Sequence, residues 1–385
     1  MRHFYLILSL FSALFITSCT KEPHPELPIP APNDNVVVRT NITENTTWTA
    51  DRVWQLSGRI TVTNGATLTI QPGTIIKSEN GSGVNASLLL IARGAKLIAE
   101  GTENAPIIFT SIADKITPED IKVGVFSSPN LDNTKSGLWG GVIILGKAPI
   151  SASNNNGNYS VVQIEGIPTS DQNGLYGGNE TNDNSGILRH ISIRYGGTNI
   201  GSGNEVNGLT LGGVGSGTII DNIEIIANQD DGVEFFGGNV DATNITVINA
   251  GDDAIDTDQG WSGTLDGFTI ITPNGHCLEL DGPEGSLIAG HVIKNGYIIA
   301  SNDIWQSMDL INTDDNSIVT LENIYFTDVK NGQKINRVTY DIGEVTFSNI
   351  VLNVNPLKLG QHIEGNIPQG ITADIRHDTN RSQSR

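Results

Sequence analysis

The sequence is poor in basic residues. Its 385 residues include 22 Lys and Arg against 42 Asp and Glu, which gives a formal net charge of −20. A surface with this charge repels the phosphates of nucleic acids and of anionic lipids, so a nucleic-acid-binding protein is excluded. No glycine-rich loop leads from a strand into a helix, so the sequence does not indicate a nucleotide site. The same charge favours divalent cations and neutral or cationic partners.

Cysteine is scarce, and only Cys19 and Cys277 are present. Cys19 follows a charged start and an apolar run over residues 4–16, which is too short for a permanent membrane span and is typical of a secretory signal. The small residues before Cys19 resemble the lipobox of bacterial lipoproteins, whose signal is cleaved before an acylated cysteine; the alternative is an ordinary signal peptide. With Cys19 acylated, Cys277 has no partner for an internal disulfide.

The lipobox resemblance implies a membrane anchor rather than a membrane span. We therefore expect residues 1–18 to be a signal peptide and Cys19 to be the lipidation site. Residues 19–35 are rich in proline and predict an extended tether. Lys21-Glu22 resembles the charged signal of lipoproteins sorted to the outer leaflet, so we expect a lipid-anchored, surface-exposed protein of the outer membrane.

A short pattern is repeated three times between residues 221 and 281. Ile223-Glu224-Ile225-Ile226 returns 22 residues later at Ile245 and again 23 residues later at Phe268. A second series has the same spacing and runs Val233-Glu234-Phe235, Ile255-Asp256-Thr257 and Leu278-Glu279-Leu280. A constant period with apolar–polar alternation, and without helical periodicity, is typical of stacked short strands.

The repeat predicts an all-β fold, a single right-handed parallel β-helix of the pectin-lyase type with long loop insertions. We expect it to span residues 36–360 in roughly a dozen coils, followed by a polar C-terminal tail over residues 361–385. Thr117-Pro118-Glu119-Asp120 interrupts the strands and has the pattern of a helix start.

Residues one period apart lie about 4.8 Å from each other on adjacent coils. Alternation then places Val233, Ile255 and Leu278 inside the coil, and Glu234, Asp256 and Glu279 in an external acidic ridge. Like charges stacked on a sheet are destabilising, so the carboxylates either extend into solvent or are compensated by a cation. Oxygen-rich, glycine-rich turns suit Ca²⁺. The candidate metal ligands are Asp230, Asp231, Glu234, Asp252, Asp253, Asp256, Asp258, Glu279 and Asp281.

Asn228-Gln229-Asp230, Asp252-Asp253 and Gly275-His276 occur in the order of three motifs of polygalacturonase-like glycoside hydrolases, which also have a right-handed β-helix. The resemblance implies that Asp253 protonates the leaving oxygen, that Asp230 and Asp252 activate water, and that His276 supports them. The family's fourth motif, an Arg-x-Lys pair that grips the substrate carboxylate, has no counterpart.

A further resemblance covers most of the chain. It links the sequence to a group of bacterial cell-surface β-helix lipoproteins of unknown activity, and it implies fold and location only. Its motifs are Leu138-Trp139-Gly140-Gly141-Val142, Asn184-Ser185-Gly186-Ile187, Asp231-Gly232-Val233-Glu234-Phe235 and Asp252-Asp253-Ala254-Ile255-Asp256.

These patterns together predict a non-catalytic surface protein that binds extracellular glycan or a partner surface, with Ca²⁺ as the candidate cofactor. The alternative is a polysaccharide-degrading enzyme, an inverting glycoside hydrolase or a lyase, whose catalytic residues are Asp230, Asp252, Asp253 and His276.

Overall fold

The computed structural model describes residues 35–198, 206–336 and 344–375. Cys19, the predicted signal peptide and nearly all of the predicted tether lie outside the described residues, as do residues 376–385 of the predicted tail. In the described ranges, no helix has the length and apolar character needed to cross a membrane.

Nearly all regular structure is β-strand. The one α-helix of the described chain, α1 (Pro118–Lys122), starts where the sequence predicts, because the Thr117 hydroxyl accepts the Asp120 N–H and Asp120 bonds back to the Thr117 N–H. Short 3₁₀ turns cover Gly83–Asn85, Gln172–Gly174 and Pro356–His362.

Most strands belong to one 15-stranded sheet, sheet A. With strands numbered in chain order, it contains β1 (Val36–Val38), β2 (Thr46–Trp48), β3 (Val53–Leu56), β5 (Thr67–Ile70), β6 (Ile75–Ser78), β8 (Lys96–Glu100), β9 (Ile107–Ser111), β15 (Gly186–Arg194), β17 (Ile219–Ile226), β19 (Ala242–Ile248), β21 (Thr264–Ile271), β23 (His291–Ile299), β25 (Ile318–Thr327), β26 (Glu344–Leu352) and β27 (Ile371–Ala373).

The second sheet, sheet B, has eight strands. They are β4 (Arg59–Val62), β7 (Leu88–Ile91), β10 (Val142–Leu145), β16 (Leu209–Gly212), β18 (Val233–Phe236), β20 (Ile255–Asp258), β22 (His276–Leu280) and β24 (Asp309–Thr313). Two hairpins stand apart, β11 (Ala152–Asn154) with β12 (Gly157–Tyr159) and β13 (Val162–Gln163) with β14 (Leu175–Tyr176).

Within both sheets the neighbouring strands are parallel and keep the predicted register. Val233 pairs with Ile255 and Ile255 with Leu278, while Ile225 pairs with Val247 on sheet A. These side chains are fully or almost fully buried in one continuous core between the sheets. The predicted all-β, single parallel β-helix is confirmed.

The β-helix extends further than the sequence predicts. Strand β27 pairs with β26, and Ile335 and Ile363 form a parallel bridge. Ile363 and Ile371 are buried in the core. The predicted boundary at residue 360 is therefore too early, because residues 361–373 still contribute apolar side chains to the last coil.

Long strands of sheet A are interrupted at one residue with positive φ. Asn222, Asn244, Asn295, Asn323 and Asn349 have φ between 55° and 60°, and Gly267 at the same register position has φ 83°. Asn and Gly are the residues that adopt this left-handed conformation most readily. The interruption bends each strand, so that sheet A wraps two sides of the coil.

Two insertions cover parts of the outer faces. Ile116 and Ile121 around α1 pack on Val53, Ile75 and Ile108 of sheet A. The insertion after β10 packs on sheet B through buried residues that include Ile164, Ile167 and Tyr176, which contact Leu88, Leu90, Ile143 and Leu145. Strands β7 and β10 are therefore buried on both faces, which explains their uninterrupted apolar sequences.

The close stacking of coils generates a stability prediction at Gly296. A Cβ added there would lie 2.1 Å from the Phe268 ring of the preceding coil. We expect Gly296→Ala to lower the free energy of unfolding by roughly 1–3 kcal/mol, the usual cost of overpacking, measured by denaturant unfolding. Gly360→Ala is the matched control, since its nearest atom is 4.0 Å away. Equal stability of the two variants would contradict the coil register.

Candidate functional site

One column on the outer face of sheet B changes from apolar to acidic along the solenoid. Its apolar part, on β7 and β10, lies under the inserted segment, and its acidic part begins on β18. Strand pairing places in register Leu90, Ile143, Thr210, Glu234, Asp256, Glu279 and Asn312.

The acids form a cleft rather than the predicted ridge. It has a volume of about 370 Å³ and is lined by carboxylates only. Glu234 is 7% exposed and Asp231 is 8% exposed. The lining residues are Glu165, Asp230, Asp231, Glu234, Asp252, Asp253 and Glu279.

Two turn aspartates have a structural role that explains their spacing. The Asp231 Oδ1 accepts the Asp253 N–H at 2.9 Å, one coil further along, and Asp253 in turn accepts the His276 N–H. Each carboxylate thus satisfies a backbone donor of the next coil. A period of 22 or 23 residues is required for this arrangement, so these aspartates help to hold the coils in register.

The most buried acidic group is formed by Asp231, Glu234 and Asp256. One carboxylate oxygen of each lies within 4.8 Å of those of the other two. No ion pair between described residues involves any of these three side chains. Burial and the neighbouring carboxylates raise the pKa of all three well above the ordinary range.

Asn207 completes this group. It is 1% exposed, its Nδ2 donates to Glu234 Oε2, and its Oδ1 has no hydrogen-bond partner. Asp256 Oδ1 is likewise buried without a partner. The three carboxylates form an all-oxygen donor set, which is the type that Ca²⁺ prefers, and Asn207 holds one of them in place through its Nδ2.

A second group consists of Asp253, His276 and Glu279. The His276 Nδ1 lies 3.0 Å from Asp253 Oδ1 and 3.7 Å from Glu279 Oε1. Burial raises the pKa of Glu279 to about 9, and its hydrogen bond to Asp253 adds to this. Burial acts to raise the pKa of Asp253, but the hydrogen bonds from His276 and Glu279 hold it below the ordinary value. These shifts favour a proton on Glu279 rather than on Asp253.

Asp253 also shifts the pKa of His276. Burial acts to lower the pKa of His276, but the hydrogen bond and charge of Asp253 raise it. Asn312 Nδ2 lies 3.3 Å from His276 Nε2 and 3.2 Å from Glu279 Oε1, which fixes the ring from its other side.

The structure separates the remaining predicted ligands. Asp230, Asp231 and Asp252 form a third group at the mouth of the cleft. Asp258 lies at the other end of its strand and accepts the Gln259 N–H at 2.6 Å. The acids that raise its pKa are Glu284, Asp281 and Asp314. Neither Asp258 nor Asp281 belongs to a candidate metal group within the described residues, so the predicted set of nine ligands does not form one site.

Three site residues were missed in the sequence. Asn207 takes the register position of Asp231, and Asn312 that of Glu279. The segment Asn207-Gly208-Leu209 resembles Asp231-Gly232-Val233, so the repeat contained a signal for the first. Glu165 comes from the insertion after β10, and no periodicity points to it.

A comparison with protein families agrees with this architecture. A family model described as a pectate-lyase-like β-helix domain matches residues 40–381. The chain belongs to this pectate-lyase-like β-helix family. No curated protein and no solved structure matches the chain. In this pectate-lyase-like β-helix, the acidic cleft lies on sheet B beside the insertion that follows β10.

Asp258 generates a prediction for the pH dependence of stability. Burial, then Glu284 and neighbouring acids, raise its pKa from 3.8 to about 8. The folded chain holds this proton in a pH range where the unfolded chain has lost it, so stability falls as pH rises through that window. We expect the Tm in EDTA to fall between pH 5 and pH 8, and to fall less in Asp258→Asn, which cannot ionise.

The control for this measurement is Asp303→Asn, since Asp303 is exposed. It should keep the wild-type dependence of Tm on pH. Identical pH profiles for Asp258→Asn and wild type would show that Asp258 is ionised in the folded chain.

Proposed function

We propose that the protein is a membrane-anchored surface lipoprotein that binds extracellular glycan or a partner surface without catalysis, and that it holds Ca²⁺ in the acidic cleft. The observation that carries the calcium assignment is the buried group Asp231, Glu234 and Asp256, which has no basic partner among the described residues. The rigid coil and its long insertions supply the binding surface.

A cation would relieve a large electrostatic cost in this group. Buried carboxylates without a compensating charge are strongly destabilising unless they are protonated or bind a metal. Asp231, Glu234 and Asp256 would hold the ion, and Asp230 and Asp252 lie beside it. The ion would supply positive charge within a cleft that otherwise repels anionic ligands.

The state of Asp253 favours a binding protein over a hydrolase. The polygalacturonase-like assignment needs Asp253 as the general acid, and a general acid must be protonated at working pH. Instead its carboxylate accepts the His276 N–H and its pKa is lowered. The group with the raised pKa is Glu279, which that assignment does not use.

The alternative function is a polysaccharide hydrolase or lyase that uses Asp230, Asp252, Asp253 and His276. The observation in its favour is that the first three of these residues line one cleft. His276 adjoins it through Asp253.

The membrane anchor is supported by the sequence of residues 1–19, where the lipobox-like segment precedes Cys19. An acylated Cys19 would hold the β-helix at the membrane through the Pro-rich residues that follow. We propose the outer membrane, with the β-helix exposed at the cell surface.

Calcium binding generates a stability prediction. At a Ca²⁺ concentration of about 100 times the Kd, the free energy of unfolding should rise by about 2.7 kcal/mol. We expect Asp256→Asn to reduce this increment strongly while its Tm in EDTA stays at or above that of wild type, because the substitution removes one of the repelling charges. Thermal unfolding in EDTA and in Ca²⁺ measures both effects.

Asp303→Asn is again the matched control and should keep the full calcium increment, since Asp303 lies on an exposed loop. A wild-type Tm that is the same in EDTA and in Ca²⁺ would rule out the calcium site.

The surface-binding function predicts two readouts from cells that produce the full-length chain. Protease added to intact cells should remove the β-helix from the wild type, while Cys19→Ser should fail to remain at the outer membrane. Incubation of the purified chain with neutral and anionic polysaccharides should release no reducing ends. Turnover that is present in wild type and lost in Asp253→Asn would establish the enzymatic alternative instead, and protection from protease would contradict surface exposure.

A further inference from the structure

A second concave surface, which we call the trough, lies on the outer face of sheet A. Its floor is a column of outward side chains, one from each coil, that pair in register. The column contains Ser192, Glu224, Thr246, Thr269, Tyr297 and Tyr325. At about 4.8 Å for each coil, these six positions span roughly 24 Å. This length suits an extended ligand that runs along the solenoid axis.

The trough contains two adjoining cavities, of about 500 Å³ and 410 Å³, which share Asn222. The larger cavity is closed on one side by Phe126, Ser128 and Leu131 of the α1 insertion. Both volumes fall in the range of about 300–1,000 Å³ that is usual for ligand sites.

The polar side chains of the larger cavity are held in place by hydrogen bonds to one another. Arg194 is 5% exposed and its Nε donates to Ser192 Oγ at 2.6 Å. Ser192 Oγ donates to Glu224 Oε2 at 2.6 Å, and Arg194 Nη2 lies 3.5 Å from the same oxygen. The charges of Arg194 and Glu224 therefore offset each other. The larger cavity has a fixed hydrogen-bonding surface to which this pair adds no net charge.

The smaller cavity is lined by uncharged residues only. This neutral lining contrasts with the formal net charge of −20 of the whole chain and with the cleft on sheet B, which is lined only by carboxylates. Its polar groups are the hydroxyls of Thr246, Thr269 and Tyr297 and the side-chain amides of asparagines at the bend. This is the donor and acceptor chemistry that binds neutral hydroxyl groups.

The asparagines at the bend bond to one another along the rim. Asn349 Nδ2 donates to Asn323 Oδ1 at 3.0 Å, and Asn323 Nδ2 donates to Asn295 Oδ1 at 3.2 Å. Gly267 occupies the same register position without a side chain, and the asparagines on either side of it donate to aspartates, Asn295 to Asp266 and Asn244 to Asp221. The missing amide leaves a notch in the rim beside Asn244, and Gly267 lines the smaller cavity there.

An aromatic surface borders the same cavity. The rings of Tyr297 and Tyr325 stack with centroids 5.8 Å apart and planes 17° apart. Both side chains are half-buried, and Tyr297 lines the cavity. Aromatic rings that border a groove of hydroxyls and amides offer a stacking surface for the apolar face of a sugar ring.

We propose that the trough binds a neutral polysaccharide, with sugar rings on Tyr297 and sugar hydroxyls at the notch left by Gly267. This proposal rests on the surface-binding function and assigns its ligand class and its site. It is independent of the acidic cleft, which lies on sheet B.

The experiment is affinity electrophoresis of the full-length chain in detergent, in native gels that contain a neutral glucan, mannan or xylan, with polygalacturonate as the anionic comparison. We expect at least one neutral polysaccharide to retard the wild type and polygalacturonate to retard it far less. Gly267→Asn places an amide in the notch, and Tyr297→Ala removes the stacking surface. Each should raise the Kd roughly tenfold, and the Tm of Gly267→Asn reports the strain from its added Cβ, which would lie 3.0 Å from Asn244 Oδ1.

Matched variants separate binding from folding. Tyr297→Phe keeps the ring and should retain wild-type retardation within about twofold. Gly332→Asn makes the same change at another left-handed glycine, where an added Cβ meets no atom within 4 Å, and it should change nothing. The wild type is also run in EDTA to test independence from the calcium site, and it should be retarded as it is in Ca²⁺.

Each other outcome overturns the proposal. If no neutral polysaccharide retards the wild type, the assignment of a neutral polysaccharide as the ligand is wrong. The proposed surface function is judged separately, by the cleavage of the β-helix on intact cells and by the stabilisation with Ca²⁺. Wild-type retardation in both Gly267→Asn and Tyr297→Ala places the glycan elsewhere on the molecule. Equal retardation by polygalacturonate removes the selectivity for neutral chains.

Discussion

The structure depends on one constraint, the in-register parallel pairing of each coil with the next. Equivalent residues become immediate neighbours, so each side chain must be compatible with the one above and below it in its column. Inside, the columns are aliphatic, as with Val233, Ile255 and Leu278. At the bend of sheet A, where the backbone has positive φ, they are asparagine or glycine except for His190 of β15.

The acidic column on sheet B is the place where this constraint conflicts with electrostatics. Carboxylates are stacked at Glu234, Asp256 and Glu279, and among the described residues His276 is the one basic side chain that pairs with any of them. Asp231 and Asp253 offset part of this electrostatic repulsion by accepting hydrogen bonds from backbone N–H groups of the next coil. Sites where local rules are broken within an otherwise consistent fold are commonly functional, and this supports the cation assigned to Asp231, Glu234 and Asp256.

The two insertions determine which outer surfaces remain open. One covers the apolar part of sheet B and contributes Glu165 to the acidic cleft, while the other forms a wall of the trough on sheet A. The same solenoid thus presents an acidic surface suited to a cation and a neutral surface suited to hydroxyl groups. Their separation on two sheets allows each to be altered without disturbing the other.

The sequence by itself determined the solenoid, its strand register and the alignment of the acids, because a 22-residue period and two-residue alternation are local properties of the chain. It also contained the asparagine series, one residue before each apolar segment of sheet A. Tertiary structure alone decided the depth of the acidic cleft, the contribution of Glu165 and the separation of Asp258 and Asp281 from the other acids. These features depend on which end of a strand a side chain occupies and on how the insertions fold back on the coils. The insertions are aperiodic, so the repeat does not encode how they fold.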